Sequence, residues 1–594
     1  MILITRYSTK KSRFLIDSFV NHISIVPNRY RTIRNRLKSQ NNKTERWNGV
    51  QIKSPIDDEK YYDHDFDFDH DLTNQRQSQK SLKQLFKEDF DNRLNGGFNK
   101  RKIVRSSPFV NALYENDRND NKHRIKNKNH RKEESFLQKL HEKYENQRQQ
   151  QQEETGEKKK VPLPYAITEE NRFEILNEIM MPLHKLPYNE QLKRKLYMNK
   201  DVLLSFGSKL RHVNRMILMR QNGNMPCHLE SVRPSPLTER YRNKDEFSIW
   251  PGIDDNAKTV GFFVGQPSKH DRVVCVEPDQ LIITKQSHID LAKKFQQYLR
   301  DVSPLDVCQN YGVGGHWRRL HIRSNRQNDQ HMLTAILHPQ NLDDNELREE
   351  MTRIQDYFAD DPRVSSLYFH ATRHTRSTHT KNEPYYHLAG DQTITEQLFD
   401  KTFVISPDSF FQVNTLAAEM LYRQIMTEMN LTKKTTVLDL CCGTGTLAIL
   451  LSDQVRKVIA IDSSESAIAD AKKNAEMNGV RNVEFITGTV EQELSRLQSE
   501  SYLKTPVVAV ANPSRRALHP HVIRTMRQMS FINRLVYVSC KPQGDALRNF
   551  VQLCSSVTND RYNDESPFIP INAIPVDLFP HTEHCELIVT FERF

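Results

Sequence analysis

The last third of this 594-residue chain alternates short apolar runs with helical stretches, and this alternation limits its fold more than any other feature of the sequence. The apolar runs are TTVLDLC, KVIAID, VEFITG, VVAVANP and LVYVSC. Helical stretches lie between most of them: TLAILLSDQV, SESAIADAKKNAEMNG and HPHVIRTMRQM. The alternation predicts an α/β fold over residues 399–594, with a mostly parallel, doubly wound sheet and helices on both faces. Ligands of such sheets bind beyond the carboxyl ends of the strands.

The first of these strands leads directly into a glycine turn, Asp439-Leu-Cys-Cys-Gly443-Thr-Gly445, and a helix follows at once. Glycines let the backbone turn tightly and approach a ligand closely. The spacing resembles the cofactor loop of Rossmann-like S-adenosylmethionine methyltransferases, in which the aspartate organises the loop and the amino-acid end of the cofactor. Asp462 ends the second strand, where an acid can accept hydrogen bonds from ribose hydroxyls. A plain strand-to-helix turn is the alternative for the two glycines.

Cys540 ends the run VYVSC, at the edge where a doubly wound sheet presents reactive groups. A carboxylate-bearing segment, residues 579–586, follows near the C-terminus. By position alone, Cys540 is as easily interpreted as a small buried residue. A thiolate and a carboxylate together are what methylation of uracil carbon 5 requires. That carbon becomes nucleophilic only after a thiolate adds to carbon 6, and its proton must later be removed by a base.

The motifs FFQVN (410–414), DLCCG (439–443), NPSR (512–515), YVSC (537–540) and TEHCE (582–586) together resemble the tRNA (uracil-5-)-methyltransferase family, in which they occur in this order. The resemblance implies S-adenosylmethionine as the cofactor, Cys540 as the nucleophile and Glu586 as the base. The positions that it implies for cofactor binding are Gln412, Asp439, Cys441, Gly443, Gly445, Thr446, Asp462 and Asn512.

The chain departs from the family pattern at three positions. Asn512 and Ser514 stand in a loop that is usually Asp-Pro-Pro-Arg, which puts the tuning of the site in doubt. Lys541 follows the nucleophile in place of the usual asparagine, and an ammonium directed at the sulfur would favour the thiolate. An ammonium directed at phosphate or solvent is the alternative. Segments further upstream, near residues 188, 241 and 314, resemble the animal mitochondrial members of the family, which also have Asn-Pro in the loop.

Residues 236–398 are predicted to form a mainly-β, RNA-binding domain, because short β-branched or aromatic runs alternate with Gly, Pro, Asn and Asp. Basic and aromatic residues are interleaved there, as on surfaces that contact phosphates and stack on bases. The candidates for RNA contact are Tyr241, Arg242, Lys244 and Arg318. A solvated basic face over an aromatic core is the alternative. The net charge of +11 favours an acidic partner, either nucleic acid or an anionic membrane.

The first 160 residues differ in composition from the rest. Residues 1–40 hold nine lysines and arginines and a single acid, which is typical of a mitochondrial transit peptide, with a cytoplasmic or nuclear protein as the alternative. Residues 41–160 are predicted to be a disordered, low-complexity extension, and residues 161–235 a helical part of the catalytic module. The eight cysteines are dispersed, so no metal site is expected. No apolar run has the length of a membrane span, so no membrane partner is expected.

These observations favour a methyltransferase that acts on a uridine of RNA. The resemblance implies uridine 54 in the T loop of tRNA, mitochondrial tRNA in particular, and mitochondrial small-subunit rRNA is a second candidate substrate. A methyltransferase for another base or for protein has no need of Cys540 and Glu586 together. A catalytically silent RNA-binding chaperone is the remaining alternative, and only the Asn512 and Ser514 departures support it.

Overall fold

A computed structural model describes residues 162–220, 224–266, 269–308, 314–373, 383–498, 506–556 and 567–593. The predicted transit peptide and the predicted disordered extension lie outside the described residues. Among the described residues, no helix is long and apolar enough to span a membrane, and no group of three or more His, Cys, Asp or Glu side chains is arranged to hold a metal ion.

The elements are numbered here in chain order. The strands are β1 His228–Leu229, β2 Lys244–Trp250, β3 Thr259–Val264, β4 Val274–Val276, β5 Trp317–Ser324, β6 His331–Leu337, β7 Ser366–Ala371, β8 Tyr385–Gly390, β9 Ile394–Leu398, β10 Lys401–Ile405, β11 Thr436–Leu440, β12 Lys457–Asp462, β13 Val483–Thr487, β14 Val507–Ala511, β15 Ile532–Ser539, β16 Ile569–Val576 and β17 Glu586–Glu592. The helices are α1 Arg172–Met180, α2 Tyr188–Val213, α3 Arg215–Arg220, α4 Gln286–Asp301, α5 Asp344–Phe358, α6 Thr415–Met429, α7 Thr446–Ser452, α8 Glu465–Met477, α9 Val490–Leu497, α10 Pro520–Gln528 and α11 Asp545–Cys554.

The C-terminal part of the chain forms the predicted doubly wound sheet. Its strand order is β1-β16-β17-β15-β14-β11-β12-β13, and strands β11 to β15 run parallel to one another. Strand β17 runs antiparallel to both of its neighbours, β15 and β16. The α/β fold class with a Rossmann-like methyltransferase sheet is therefore confirmed, and each of the five apolar runs forms a strand.

Helices cover both faces of this sheet because its strands bury side chains on both sides. In β11, Val437 faces a core that includes Leu421 and Ile425 of α6. The next residue, Leu438, faces the opposite core, which includes Phe206 of α2 and Phe550 of α11. Alternate residues of one strand thus enter different cores, which explains why the strands read as continuous apolar runs.

The central part of the chain forms a second sheet of order β4-β3-β2-β5-β6-β7-β8. All of its pairs are antiparallel except β6 with β7, which are parallel and joined through α5. Helices α4 and α5 cover one face, where Phe295 and Ile354 pack on Leu320 and Leu333. These two helices were not predicted from the sequence. A parallel strand pair needs a crossover connection, and Asp343 and Glu346 form a capping box that marks the start of α5.

Helix α2 lies within residues 161–235, the part of the chain that is predicted to be helical, and its apolar face packs against the methyltransferase sheet. The hairpin of β9 and β10 lies in the chain between the two large sheets and is followed by the FFQVN segment. Asn243, at the start of β2, donates from its side chain to the carbonyl of Gln412 and the hydroxyl of Thr415, both at 2.9 Å. The central sheet is therefore bonded directly to the segment that bears Gln412.

Candidate active site

The predicted cofactor loop lies at the carboxyl end of β11. Leu440 is level with Ile461 of β12 on one side and with Ala511 of β14 on the other, so these three strands end together. Cys441, Gly443 and Gly445 all have positive φ angles, of 68°, 55° and 75°. The chain therefore turns sharply between the strand and α7, which begins at Thr446.

The two glycines of this turn face different surroundings. A Cβ atom added at Gly443 would have no atom within 4 Å, so this residue borders open space. A Cβ atom at Gly445 would lie 2.7 Å from the ring of Phe485 and 2.9 Å from Ala471, so no side chain fits there. Gly443 thus leaves the backbone open to a ligand, whereas Gly445 lets α7 pack closely.

Two carboxylates flank the loop. Asp462 accepts hydrogen bonds from the backbone nitrogens of Gly443 and Ser464, both at 2.9 Å, and so fixes the turn. Asp439 is only 1% exposed, and one of its oxygens has no hydrogen-bond partner among the described residues. Burial and the nearby Asp462 raise the pKa of Asp439 to about 7. A buried carboxylate with one unpaired oxygen, beside an open glycine loop, fits a cationic ligand such as the amino-acid end of S-adenosylmethionine.

The other predicted cofactor positions lie at the same edge of the sheet or beside it. Cys441 is half-buried, and Thr446 is buried at the start of α7. Asn512 follows β14, and its backbone nitrogen donates to the carbonyl of Leu440 at 3.3 Å, which joins its loop to the end of β11. Gln412 is nearly buried. Two residues before it, Phe410 is 64% exposed, which is unusual for a phenylalanine.

Cys540 and Glu586 lie close together at the ends of neighbouring strands. The register of β15 and β17 pairs Arg534 with Glu592 and ends with Ser539 opposite Leu587. Cys540 directly follows Ser539 and Glu586 directly precedes Leu587, and the charge of Glu586 acts on the Cys540 thiol. The pairing of these two strands thus brings together the thiol and the carboxylate predicted from the sequence.

The electrostatics of this pair are set by burial and by one arginine. Burial, followed by the adjacent Glu586, raises the pKa of the Cys540 thiol to about 11, and the nearby Arg515 guanidinium opposes this shift. Burial also raises the pKa of Glu586 to about 7, again opposed by Arg515. Glu586 is 4% exposed, and its Oε2 atom has no hydrogen-bond partner in the described part of the chain. Glu586 is therefore present in both protonation states near neutral pH.

Arg515 was not among the predicted site residues. The signal for it was present, because it is the arginine of the loop that resembles Asp-Pro-Pro-Arg. Arg515 interacts with both reactive groups and therefore stabilises the thiolate of Cys540 and the carboxylate of Glu586 together.

Comparison with known proteins decides the family. A zebrafish (Danio rerio) protein named tRNA (uracil-5-)-methyltransferase homolog B is 40% identical over 443 residues, which cover 74% of this chain and 90% of that protein. The human homolog B is 38% identical over 428 residues, covering 71% of this chain and 84% of that protein. The chain belongs to the tRNA (uracil-5-)-methyltransferase family.

The family-model comparison agrees with this assignment. A methyltransferase-domain family model matches residues 431–508, which include β11, the glycine loop and β12. The enzyme therefore uses S-adenosylmethionine as its cofactor. A solved structure of the Pyrococcus abyssi tRNA (uracil-54, C5)-methyltransferase with S-adenosyl-L-homocysteine is similar at a TM-score of 0.49 and 22% identity, covering 69% of this chain and 84% of that chain.

The four candidates for RNA contact do not form one group. Tyr241 is buried, and its hydroxyl donates to the carbonyl of Pro580 at 3.1 Å, so it is a packing residue in this structure. Arg242 and Lys244 lie together at the start of β2, and Lys244 is paired in register with Arg323 of β5. Arg318 is near the other end of β5, about 16 Å along the strand from Arg323.

Proposed function

We propose that this enzyme methylates carbon 5 of uridine 54 in the T loop of mitochondrial tRNA. The observation that carries the proposal is the proximity of Cys540 to the buried Glu586 at the paired ends of β15 and β17. The names of the homolog B proteins support tRNA as the substrate. The ordered set of family motifs supports position 54, and the basic composition of residues 1–40 supports a mitochondrial location.

Cys540 acts as the nucleophile. Its thiolate forms a bond to carbon 6 of the uracil, and the electron pair of the C5–C6 double bond shifts toward the carbonyl at carbon 4, which makes carbon 5 enolate-like. S-adenosylmethionine, when bound, would supply the methyl group to which carbon 5 forms its new bond, and S-adenosylhomocysteine would be released as the methyl–sulfur bond breaks. Glu586 afterwards accepts the proton of carbon 5. The electron pair of that C–H bond restores the C5–C6 double bond, and the thiolate of Cys540 leaves carbon 6.

The protonation states support these roles. A base works best when its pKa lies near the working pH, and the pKa of Glu586 is about 7. Because the pKa of Cys540 is about 11, the thiol is largely protonated in the free protein. Arg515 already lowers the pKa of Cys540, and a bound RNA substrate that excludes water would strengthen this interaction. Arg515 therefore has the position to stabilise the attacking thiolate.

The target base must leave its stack to reach Cys540, because carbons 5 and 6 of a uridine in a folded loop are covered by neighbouring bases. The exposed ring of Phe410 lies two residues from Gln412 and suits contact with an extruded base. Arg242 and Lys244 on the central sheet remain candidates for phosphate contact, although each has an acidic partner within the sheet, Asp245 and Glu246 respectively.

The proposal is tested by methyl transfer to purified transcripts. Transcripts of mitochondrial tRNA, the same tRNA with uridine 54 replaced by cytidine, and a mitochondrial small-subunit rRNA fragment would be incubated with labelled S-adenosylmethionine. Digestion and mass spectrometry of the nucleosides would then locate the label. We expect 5-methyluridine in the unaltered tRNA alone. Label in the rRNA alone would transfer the same chemistry to that substrate, and no label in any RNA would favour the silent RNA-binding alternative.

The mitochondrial location has its own test. A fusion of residues 1–40 to a fluorescent reporter should enter mitochondria. A variant in which the nine basic residues of this segment are replaced by glutamine should not, because transit peptides depend on their positive charge. A reporter that stays in the cytosol or accumulates in the nucleus would contradict the proposed location and leave the chemistry untouched.

A further inference from the structure

Helix α2 buries polar side chains along part of its length. Toward its C-terminus the buried face is apolar and includes Leu203 and Phe206. Toward its N-terminus the helix instead buries Gln191, Lys195 and Asn199, which are spaced four residues apart. Residues at this spacing share one face of a helix. A lysine is almost never fully buried unless its charge is paired. The groups that these side chains contact should therefore explain why this face of the helix is polar.

Lys195 pairs with the segment that leads to Glu586. Its ammonium lies 2.6 Å from a carboxylate oxygen of Asp577, and both side chains are 0% exposed. The same ammonium donates to the carbonyl of Phe579 at 2.9 Å. The other oxygen of Asp577 accepts a hydrogen bond from the Tyr188 hydroxyl at 3.0 Å. A single buried cation thus binds one side chain and one backbone group of this segment.

Gln191 contacts the same segment at His581, four residues after Asp577. Its side-chain oxygen accepts from the backbone nitrogen of His581 at 2.8 Å, and its amide lies 3.1 Å from His581 Nδ1. The carbonyl of His581 accepts from the backbone of Leu183 at 2.9 Å. His581 has a φ angle of 69°, a left-handed conformation that a residue with a side chain adopts only at a cost. These bonds hold the segment in a conformation that it would not adopt alone.

The segment in question is the connection between β16 and β17, residues 577–585. It leads directly into Glu586, the first residue of β17, which lies close to Cys540. The conformation of residues 577–585 therefore helps to determine the position of the Glu586 carboxylate. Replacing a buried ion pair by apolar residues is often neutral or stabilising, so stability alone is a weak reason for Lys195 and Asp577.

We propose that Lys195, together with Gln191, is a positioning residue that holds residues 577–585 so that Glu586 reaches the proton on carbon 5 of the uracil. The inference rests on the proposed role of Glu586 as the base. Lys195 touches neither cofactor nor substrate in this account. Its loss would slow the removal of that proton and the release of Cys540, but would leave the addition of Cys540 to carbon 6 intact.

The test compares Lys195→Met with Lys193→Met. Lys193 is on the same helix, but its ammonium is exposed and pairs with Glu190 at 2.7 Å, so the same substitution there is a matched control. We would measure turnover on unmodified tRNA. The amount of covalent protein–RNA adduct would be measured on denaturing gels, both with unmodified tRNA and with 5-fluorouridine-substituted tRNA. We expect Lys195→Met to lower kcat by about tenfold or more, a part of the roughly 10²–10⁴-fold that a positioned base contributes. With Lys195→Met, a methylated adduct should accumulate on unmodified tRNA, and the amount of adduct trapped on the fluorinated tRNA should equal that of the unsubstituted enzyme. Lys193→Met should behave like the unsubstituted enzyme in all three measurements.

A second variant protects the test against misfolding, because Lys195→Met leaves Asp577 buried without its cation. Gln191→Met creates no unpaired charge and should accumulate the same adduct to a smaller extent, with folding checked by circular dichroism. A folded variant with unchanged turnover, or one that loses trapping in proportion to turnover, would overturn the inference. If Glu586→Gln accumulates the adduct and neither α2 variant does, the inference alone fails. If Glu586→Gln accumulates none while the unsubstituted enzyme is trapped, the role of Glu586 fails as well.

Discussion

Glu586→Gln is expected to make the protein more stable at neutral pH while it abolishes turnover. Glu586 is buried, and its Oε2 atom is without a partner in the described structure, so its charged form is unfavourable in the folded state. Its pKa rises from 4.5 to about 7, and each pKa unit corresponds to about 1.4 kcal/mol. Holding the carboxylate ionised in the folded protein thus costs about 3 kcal/mol above pH 7, and an amide of similar shape avoids this cost.

The pH dependence of this difference follows from the direction of the shift. Because the folded pKa is raised, the contribution of Glu586 to stability is fully present below about pH 4.5 and is lost as the pH rises through about 7. The glutamine variant and the unsubstituted protein should therefore have similar stability near pH 4.5. At pH 8 the variant should be more stable by up to about 3 kcal/mol. Asp439 titrates in the same range, but it is common to both proteins and cancels in the comparison.

The assay is urea denaturation of both proteins at several pH values from 4.5 to 8, followed by fluorescence. Glu583→Gln is a suitable control, because Glu583 is half-exposed and pairs with Arg194 at 2.8 Å. A surface ion pair of this kind contributes less than about 1 kcal/mol. A stability difference for Glu586→Gln that is the same at pH 4.5 and pH 8, or a variant that is less stable at pH 8, would refute the reasoning.

Three further predictions concern the loop, the arginine and the base. Gly445→Ala should lower the thermal stability of the ligand-free protein much more than Gly443→Ala, because both have positive φ but only the Gly445 Cβ would meet Phe485, at 2.7 Å; equal losses of stability would contradict this reading. Arg515→Leu should shift the alkylation of Cys540 by iodoacetamide to higher pH, since Arg515 lowers the pKa of that thiol, and an unchanged profile would be contrary evidence. The rate of adduct resolution should rise with pH through about 7, because Glu586 accepts a proton only when ionised, and a rate that falls over this range would exclude Glu586 as the base.

Local patterns made the methyltransferase sheet and its loop predictable. The strands read as apolar runs because they are buried on both faces, and the ends of β11 and β12 carry Asp439 and Asp462 in the expected places. The helices α4 and α5 were not predicted, because aromatic and β-branched runs typical of strands dominate the surrounding sequence. Their buried positions recur every three or four residues, a signal that is visible only when each segment is considered separately.

Other features depend on contacts that a local pattern does not contain. Lys195 and Asp577 are 382 residues apart in the chain, and neither is marked by its neighbours as half of a buried pair. The burial of Tyr241 depends in the same way on the distant carbonyl of Pro580. The separation of Arg318 from Lys244 follows from the register of β2 with β5, which the sequence does not specify. Positions that a strand end or a glycine turn defines were therefore predictable, and surfaces assembled from distant strands were not.

The central claim is that Cys540 bonds covalently to a uridine of tRNA. The most direct measurement incubates the enzyme with S-adenosylmethionine and 5-fluorouridine-substituted tRNA and resolves the products on a denaturing gel. Fluorine on carbon 5 cannot be removed as a proton, so the adduct should persist as a slowly migrating band that contains both protein and RNA. The account predicts a cofactor-dependent band that is absent in Cys540→Ala and present in Lys541→Ala. A band that persists in Cys540→Ala would contradict it, and so would a Cys540→Ala variant that still forms 5-methyluridine.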